Sequence, residues 1–97
     1  MKARDITDAI ANDDRQTMRQ GFRALVDPSE DMVEASSPGL LVVALNRLCA
    51  ALAEDDATMP NETCAALDLP AGASYSEGAA QAKRDGARLA RHLMAAG

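Results

Sequence analysis

The chain has 97 residues, of which fifteen are acidic and ten are Lys or Arg, and its net charge is −5. This size fits a single helical domain over residues 1–97 with one hydrophobic core. The charge argues against a protein that clamps the phosphates of duplex DNA. The longest apolar run, Leu40 to Leu45, is far shorter than the roughly 20 residues that a membrane-spanning helix needs.

The composition predicts helices. The sequence contains one Phe, one Tyr and no Trp, while alanine occurs twenty-one times, so Leu, Val, Ile, Met and closely packed Ala have to build the core. It lacks the alternating β-branched and aromatic runs that indicate strands. Aspartates interrupt the first apolar positions, unlike in a secretory signal, so we expect a cytoplasmic protein that does not span a membrane.

The first quarter of the chain predicts two helices. Ile6 and Ile10 lie one turn apart on a short helix that Asp5 or Thr7 can cap and that ends at residues 12–14. A second helix then starts at a cap formed by Asp13 or Asp14 and runs to about Val26 or Asp27. Its apolar face recurs at helical spacing and consists of Met18, Phe22, Leu25 and Val26.

The segment that follows predicts a third, very short helix. Asp27 can act as its cap, Pro28 suits the first helical position, and Glu30 can reach back to the cap. One or two helical turns are expected to follow, through Met32 and Val33.

The most apolar segment of the chain predicts a central helix over about residues 38–54. Ser37 and Pro38 form its start signal, and only Asn46 and Arg47 interrupt its apolar character. A helix that is apolar around nearly its whole circumference has to be covered on nearly all sides. We therefore expect an all-α protein, a compact bundle of four to six short helices around this helix, with the covering layers supplied by the rest of the chain or by a second copy.

The connector over residues 57–72 contains two prolines and one short helix. Asn61 can cap that helix, which carries Cys64, Leu67 and Leu69.

Ser74 and Glu77 then form a capping pair for a last helix that runs nearly to the C-terminus. Gly86 lowers the helix propensity by about 1 kcal/mol relative to Ala, so we expect it to mark a tight crossing over the central helix. One face of this last helix carries Tyr75, Ala79, Ala82, Gly86, Leu89 and Leu93.

Two charged groups are candidate partner-binding residues. The first is the acidic triplet Glu54, Asp55 and Asp56, placed where the dipole of the central helix already makes negative charge unfavourable. The second lies opposite the apolar face of the last helix and consists of Arg84, Arg88 and Arg91. A solvated helix end and a solvated row of charge are the alternative explanations. A further row on the second helix, Arg15, Arg19 and Arg23, borders an apolar face over which these side chains can lie.

The sequence carries no constellation that indicates catalysis. Cys49 and Cys64 lack the spacing of a zinc site and are expected to be buried and reduced, while His92 has a sufficient structural role near a helix C-terminus. We therefore expect no catalytic residue, no metal ligand and no cofactor, and a protein that is not an enzyme.

These observations favour a non-catalytic protein-binding module that acts as an adaptor, inhibitor or regulator of a larger macromolecular complex. In size and charge, but in no motif, the chain is similar to small acidic helical inhibitors from mobile elements, such as anti-CRISPR proteins. Two alternatives stay open. One is a homodimer, such as a phage-associated assembly or chaperone subunit, with the central helix at its two-fold interface. The other is a nucleic-acid-binding regulator that uses the three arginines of the last helix. If neither charged group is the interface, the next candidates are Met32, Val33 and Tyr75.

Overall fold

The computed structural model describes residues 1–96, with side chains through residue 94, and these residues form six α-helices. The predicted all-helical bundle is therefore confirmed. Within the described part of the chain, strand-like pairing is limited to two isolated bridges, Lys2 with Glu34 and Thr58 with Ser74. The helices are α1 (Ala3–Ala11), α2 (Arg15–Val26), α3 (Pro38–Ala51), α4 (Asn61–Ala66), α5 (Tyr75–Arg84) and α6 (Gly86–Ala96).

Helix α3 is the centre of the bundle, as predicted. It packs against α1, α2, α5 and α6, and its buried side chains belong to one continuous hydrophobic core. It ends at Ala51, with Leu52 as its C-cap, a little before the expected end near residue 54. The amide of Asp55 donates to the carbonyl oxygen of Leu52 at 3.1 Å, so the acidic triplet lies in a turn beyond the helix.

The start of α2 agrees with its predicted cap, whereas the start of α1 does not. Asp14 caps α2, because its carboxylate accepts from the Thr17 amide at 3.2 Å. Helix α1 begins at Ala3, earlier than a cap at Asp5 or Thr7 allows, so that prediction was wrong. Asp5 instead lies in the first turn and accepts from the Lys2 amide at 2.9 Å. This contact stabilises the same helix end from inside the helix.

The helix predicted after Asp27 is absent from residues 27–36, and the prediction was wrong. The Asp27 carboxylate accepts from the amide and the hydroxyl of Ser29, at 2.9 and 2.8 Å, and so closes a turn rather than capping a helix. The chain then runs extended beside the N-terminus. There the Glu34 amide donates to Met1 O at 2.9 Å, and the Ala3 amide donates to Glu34 O at 2.7 Å. These bonds satisfy backbone groups that a helix would otherwise pair.

The two predicted starts in the last third of the chain fall close to the observed ones. Helix α4 is present, but its N-cap is Pro60, and Asn61 is its first helical residue rather than its cap. The Ser74 cap of α5 is confirmed, since its hydroxyl accepts from the Glu77 amide at 3.2 Å. Cys64 is fully buried within α4. The helix ends sooner than predicted, because Leu67 is its C-cap, although fully buried, and Leu69 lies beyond it.

The single last helix that the sequence predicted is interrupted at Asp85, which separates α5 from α6. Its apolar face is nevertheless buried, apart from Gly86, which is half-buried. The prediction of a tight helix crossing at Gly86 was wrong, because a Cβ built there would meet no atom within 4 Å. The close approaches are elsewhere. A Cβ at Gly21 would lie 2.8 Å from Ile6 Cγ1, and one at Gly78 would lie 2.5 Å from Met59 Sδ.

Candidate protein-binding surface

One stripe of the central helix is not covered by the other residues that the structure describes. Leu40 is 45% exposed and Val43 is 48% exposed, although other side chains of α3 lie in the core. Asn46, Arg47 and Ala50 continue the same face and are also exposed. Leu40, Val43, Arg47 and Ala50 follow one another at spacings of three or four residues, with Asn46 beside Arg47, so the exposed residues form one stripe along the helix. Of the two sources of cover that the sequence left open, the rest of the chain or a second copy, the described residues do not supply the cover on this face, which we call the α3 stripe.

The first turns of α1 border the α3 stripe and give it a charged rim. A shallow groove of about 360 Å³ separates the two helices, and Leu40 and Val43 form part of its apolar lining. Arg4 and Asp8 line it from the α1 side, where Arg4 Nε lies 3.8 Å from Asp8 Oδ2, and Arg47 lines it from α3. An apolar centre with a polar rim is the usual anatomy of a protein–protein interface.

A second groove meets the first at Leu40. It has a volume of about 320 Å³ and lies between the start of α1 and residues 34–36. Lys2 and Glu34 add charges of both signs to its lining. Leu40 therefore stands between two shallow depressions, and a partner seated on it would contact α1, α3 and the extended segment together.

The structure does not keep the acidic triplet together as an exposed group. Glu54 and Asp56 are exposed, but Asp55 is only 5% exposed. Arg19 Nε donates to Asp55 Oδ2 at 3.0 Å, and Arg15 Nη1 lies 3.7 Å from the same oxygen. The expectation that all three carboxylates are exposed is therefore wrong for Asp55, because arginines of α2 reach across to it.

The ion pair also fixes the charge state of Asp55. Burial disfavours its charged carboxylate, but hydrogen bonds from Arg19 and from the Ala57 amide, together with the charges of Arg19 and Arg15, outweigh burial. They hold the pKa of Asp55 below its ordinary value. The acidic end of the central helix is thus compensated within the chain at one of its three positions.

The arginine row of α2 connects three parts of the bundle. Arg15 Nη1 donates to the Ala51 carbonyl oxygen at 3.0 Å, at the end of α3. Arg23 Nη1 donates to the Tyr75 hydroxyl at 2.8 Å, and the Arg19 guanidinium carbon lies 5.8 Å from the Tyr75 ring centroid. The spacing of the row predicted a common face. What it could not show is that Arg15 and Arg19 both reach the Asp55 carboxylate, 36 or more residues away in the sequence. Arg15 and Arg23 also pair with acidic residues close in sequence, Asp13 and Glu30.

The basic candidates on the last helix are split by the interruption at Asp85. Arg84 Nη2 donates to Gln81 Oε1 at 2.7 Å, and Arg88 Nη2 donates to Asp85 Oδ2 at 3.0 Å. Arg91 is exposed on α6. Arg84 and Arg88 are therefore each held by a neighbour about one turn earlier. Hydrogen bonds from Arg88 and Gln81, with the charges of Arg88 and Arg84, lower the pKa of Asp85 against the opposing effect of desolvation.

The reserve apolar candidates differ in exposure. Met32 is 66% exposed, while Val33 and Tyr75 are buried and can contact a partner only if the fold opens.

The two cysteines are buried, whereas the single histidine is exposed. Cys49 and Cys64 are buried free thiols, and burial raises the pKa of Cys49 to about 11 against a smaller opposing effect of Lys83. His92 is exposed, beside Arg88 in a shallow groove. Residues 1–94 contain no group of three or more His, Cys, Asp or Glu side chains placed to hold a metal ion. Among the helices described above, none combines the length and the apolar character needed to cross a membrane.

No protein family, curated protein or solved structure matches the chain.

Proposed function

We propose that the protein is a non-catalytic protein-binding module of the cytoplasm that acts as an adaptor, inhibitor or regulator of a larger complex, and that it binds through the α3 stripe. One observation carries the proposal: Leu40 and Val43, two large apolar side chains about half exposed, share one face of the central helix. A narrower version of this proposed function, an inhibitor of a host defence complex, is suggested by size and charge alone.

The position of these side chains favours binding over a purely structural role. A helix that only has to fold tolerates polar residues on its solvent side, and a single exposed Leu needs no explanation. Here two apolar side chains lie three residues apart in one groove, and one of them, Leu40, also lines a second groove. A partner that covers them removes apolar surface from water, and this burial favours binding by about 25 cal/mol for each Å².

The charged rim supports specific binding. Arg4, Asp8 and Arg47 stand around the apolar centre, with their charged groups on the exposed surface. Charges at a rim add little to affinity, but they orient a partner and reject partners of the wrong charge pattern. The surface therefore suits a folded protein with a complementary apolar ridge.

The test compares three tagged proteins in a lysate of the native host, with nuclease present and at two salt concentrations. They are the wild type, the Leu40→Asp/Val43→Asp double variant, and an Ala80→Asp control at an exposed position of α5. We expect the wild type and the control to retain the same stoichiometric protein and the double variant to lose it. Circular dichroism should show equal helicity in all three.

Other outcomes would contradict the proposal. Full retention by the double variant would place the interface elsewhere on the chain. Recovery of nucleic acid that depends on salt and disappears when Arg84, Arg88 and Arg91 are all replaced by Ala would favour the nucleic-acid-binding alternative.

A further inference from the structure

We infer that the occupant of the α3 stripe is a second copy of this chain, which packs its own α3 antiparallel across a two-fold axis near Asn46 and Arg47. The inference rests on the part of the proposed function that makes the stripe a protein-binding surface. It names a second copy as the protein that covers the stripe, so that the pair of chains is the unit that acts as adaptor, inhibitor or regulator. Three features of the stripe carry it: the sizes of its side chains, the charge at the end of α3, and the uncapped start of that helix.

The α3 stripe has a large half and a small half. Its N-terminal half presents Leu40 and Val43, and its C-terminal half presents Ala50 and, just beyond the helix, Ala53. All four are exposed. A surface that joins protruding apolar side chains to a flat region of equal length is complementary to itself when it is reversed.

Antiparallel pairing matches the two halves. When Asn46 lies opposite Arg47 of the second copy, equal steps of three residues bring Val43 opposite Ala50 and Leu40 opposite Ala53. Each large side chain then faces a small one, which is the arrangement that lets helix surfaces interdigitate. A two-fold axis makes every such contact occur twice. Parallel pairing would instead set Val43 against Val43 and leave Ala50 facing Ala50 across a gap.

Electrostatics favour the same direction. Glu54 is exposed just beyond the C-terminal end of α3, where its charge opposes the dipole of its own helix. In the antiparallel pair it lies near the N-terminus of the other α3, where the dipole favours a carboxylate. The Ser37 hydroxyl makes no capping hydrogen bond at that end, so the first amides of the helix have no side-chain cap. Glu54, which the sequence already indicated as a candidate binding residue, therefore lies in the interface between the two copies.

The first measurement is the mass in solution, by light scattering or sedimentation over a wide range of concentration. We expect it to rise from the 10.2 kDa of one chain to twice that value. Two single variants, Val43→Ala and Ala50→Val, test the pairing. Val43→Ala leaves a gap and Ala50→Val sets Val against Val, so each should raise the dissociation constant about tenfold.

The double variant is the decisive protein. Val43→Ala/Ala50→Val exchanges the large and small partners, so its dissociation constant should return to within about threefold of the wild-type value. An Ala80→Val variant on α5 is the matched control and should associate as the wild type does. Because both exchanged positions are exposed, all four variants should keep the fold of a single chain.

Several results would overturn the inference. They are the mass of one chain at every concentration, a dimer that neither single variant weakens, or tighter association of Ala50→Val, which indicates parallel pairing. A chain that stays monomeric but captures another protein through Leu40 and Val43 would overturn this inference and leave the proposed function intact. A monomer whose captured protein survives the Leu40→Asp/Val43→Asp change would overturn both.

Discussion

The carboxylate of Asp55 lies in an unfavourable position, and contacts from other parts of the chain compensate for it. A carboxylate beyond the end of a helix meets the negative end of the dipole, and this one is also buried. The guanidinium groups of Arg19 and Arg15 lie within 4 Å of its Oδ2 atom, and the Ala57 amide donates to Oδ1 at 3.0 Å. The residue therefore connects α2 to the turn after α3.

Asp55→Asn should lower the free energy of unfolding by about 2 kcal/mol, because Arg19 loses its carboxylate partner and Arg15 loses one of two, while both arginines can still reach water. Urea denaturation measures the change. Asp56→Asn is the matched control, since Asp56 is the next residue and is exposed, and its effect should stay within about 0.5 kcal/mol. Equal effects of the two substitutions would show that the ion pair contributes nothing to stability.

The same contact predicts a loss of stability in acid. The pKa of Asp55 is lower in the fold than in the unfolded chain, where it is about 3.9. Its contribution is therefore complete above that value and falls as the pH drops through the folded pKa, because the unfolded chain takes up the proton first. Unfolding free energies measured from about pH 6 to about pH 2 should fall less steeply for Asp55→Asn than for the wild type. Asp14 and Asp85 also have lowered pKa values, so part of the slope should remain.

Two glycines show that neighbouring parts of the bundle approach a helix closely at one position and not at another. Helices α1 and α2 meet at Gly21, where Ile6 Cγ1 occupies the space that a Cβ would take. Ile6 is fully buried, and its branched side chain has few ways to move aside. Gly86 lies in open space at the start of α6. The sequence alone assigned the close approach to the wrong glycine, because both lie within predicted helices.

Gly21→Ala should therefore destabilise the fold by about 1–2 kcal/mol, even though Ala favours the helix itself by about 1 kcal/mol. Gly86→Ala is the matched control and should leave the stability unchanged or raise it slightly. Thermal or urea unfolding of both variants measures the difference. If Gly21→Ala were as stable as Gly86→Ala, the contact between Gly21 and Ile6 would not be tight.

Element boundaries were predictable where a side chain controls a helix end on its own. Asp14 and Ser74 cap the helices that follow them, and both follow from local spacing. Asp27 fails as a cap because its carboxylate is used in a turn, and the segment after it pairs with the N-terminus, 30 or so residues away. The interruption at Asp85 was also not predicted from the sequence. Apolar periodicity identifies a buried face, but it does not show whether one helix or two helices carry that face.

At the scale of the whole molecule, composition was enough to identify the helical class and the central helix. It was not enough to find the binding surface. Leu40 and Leu48 look alike in a segment that is apolar all round, yet Leu40 is 45% exposed and Leu48 is fully buried. Which face stays open depends on where α1, α2, α5 and α6 pack, and these contacts link distant parts of the chain.

Association of two copies should make thermal stability depend on protein concentration. A partner that binds only the folded state raises the unfolding midpoint by mass action. The midpoint of the wild type should therefore rise as its concentration increases, while that of Val43→Asp should stay constant. Differential scanning calorimetry at several concentrations measures both. A constant wild-type midpoint would contradict stable pairing of two chains.

Tyr75 gives this molecule an optical reporter of its own. The sequence has no Trp and no other Tyr, so ultraviolet fluorescence excited in the Tyr band comes from this ring alone. The ring is buried, stands edge-on to Phe22 with centroids 6.2 Å apart, and accepts a hydrogen bond from Arg23. Emission from a single known position, where α2 meets α5, can therefore be followed during unfolding without any label.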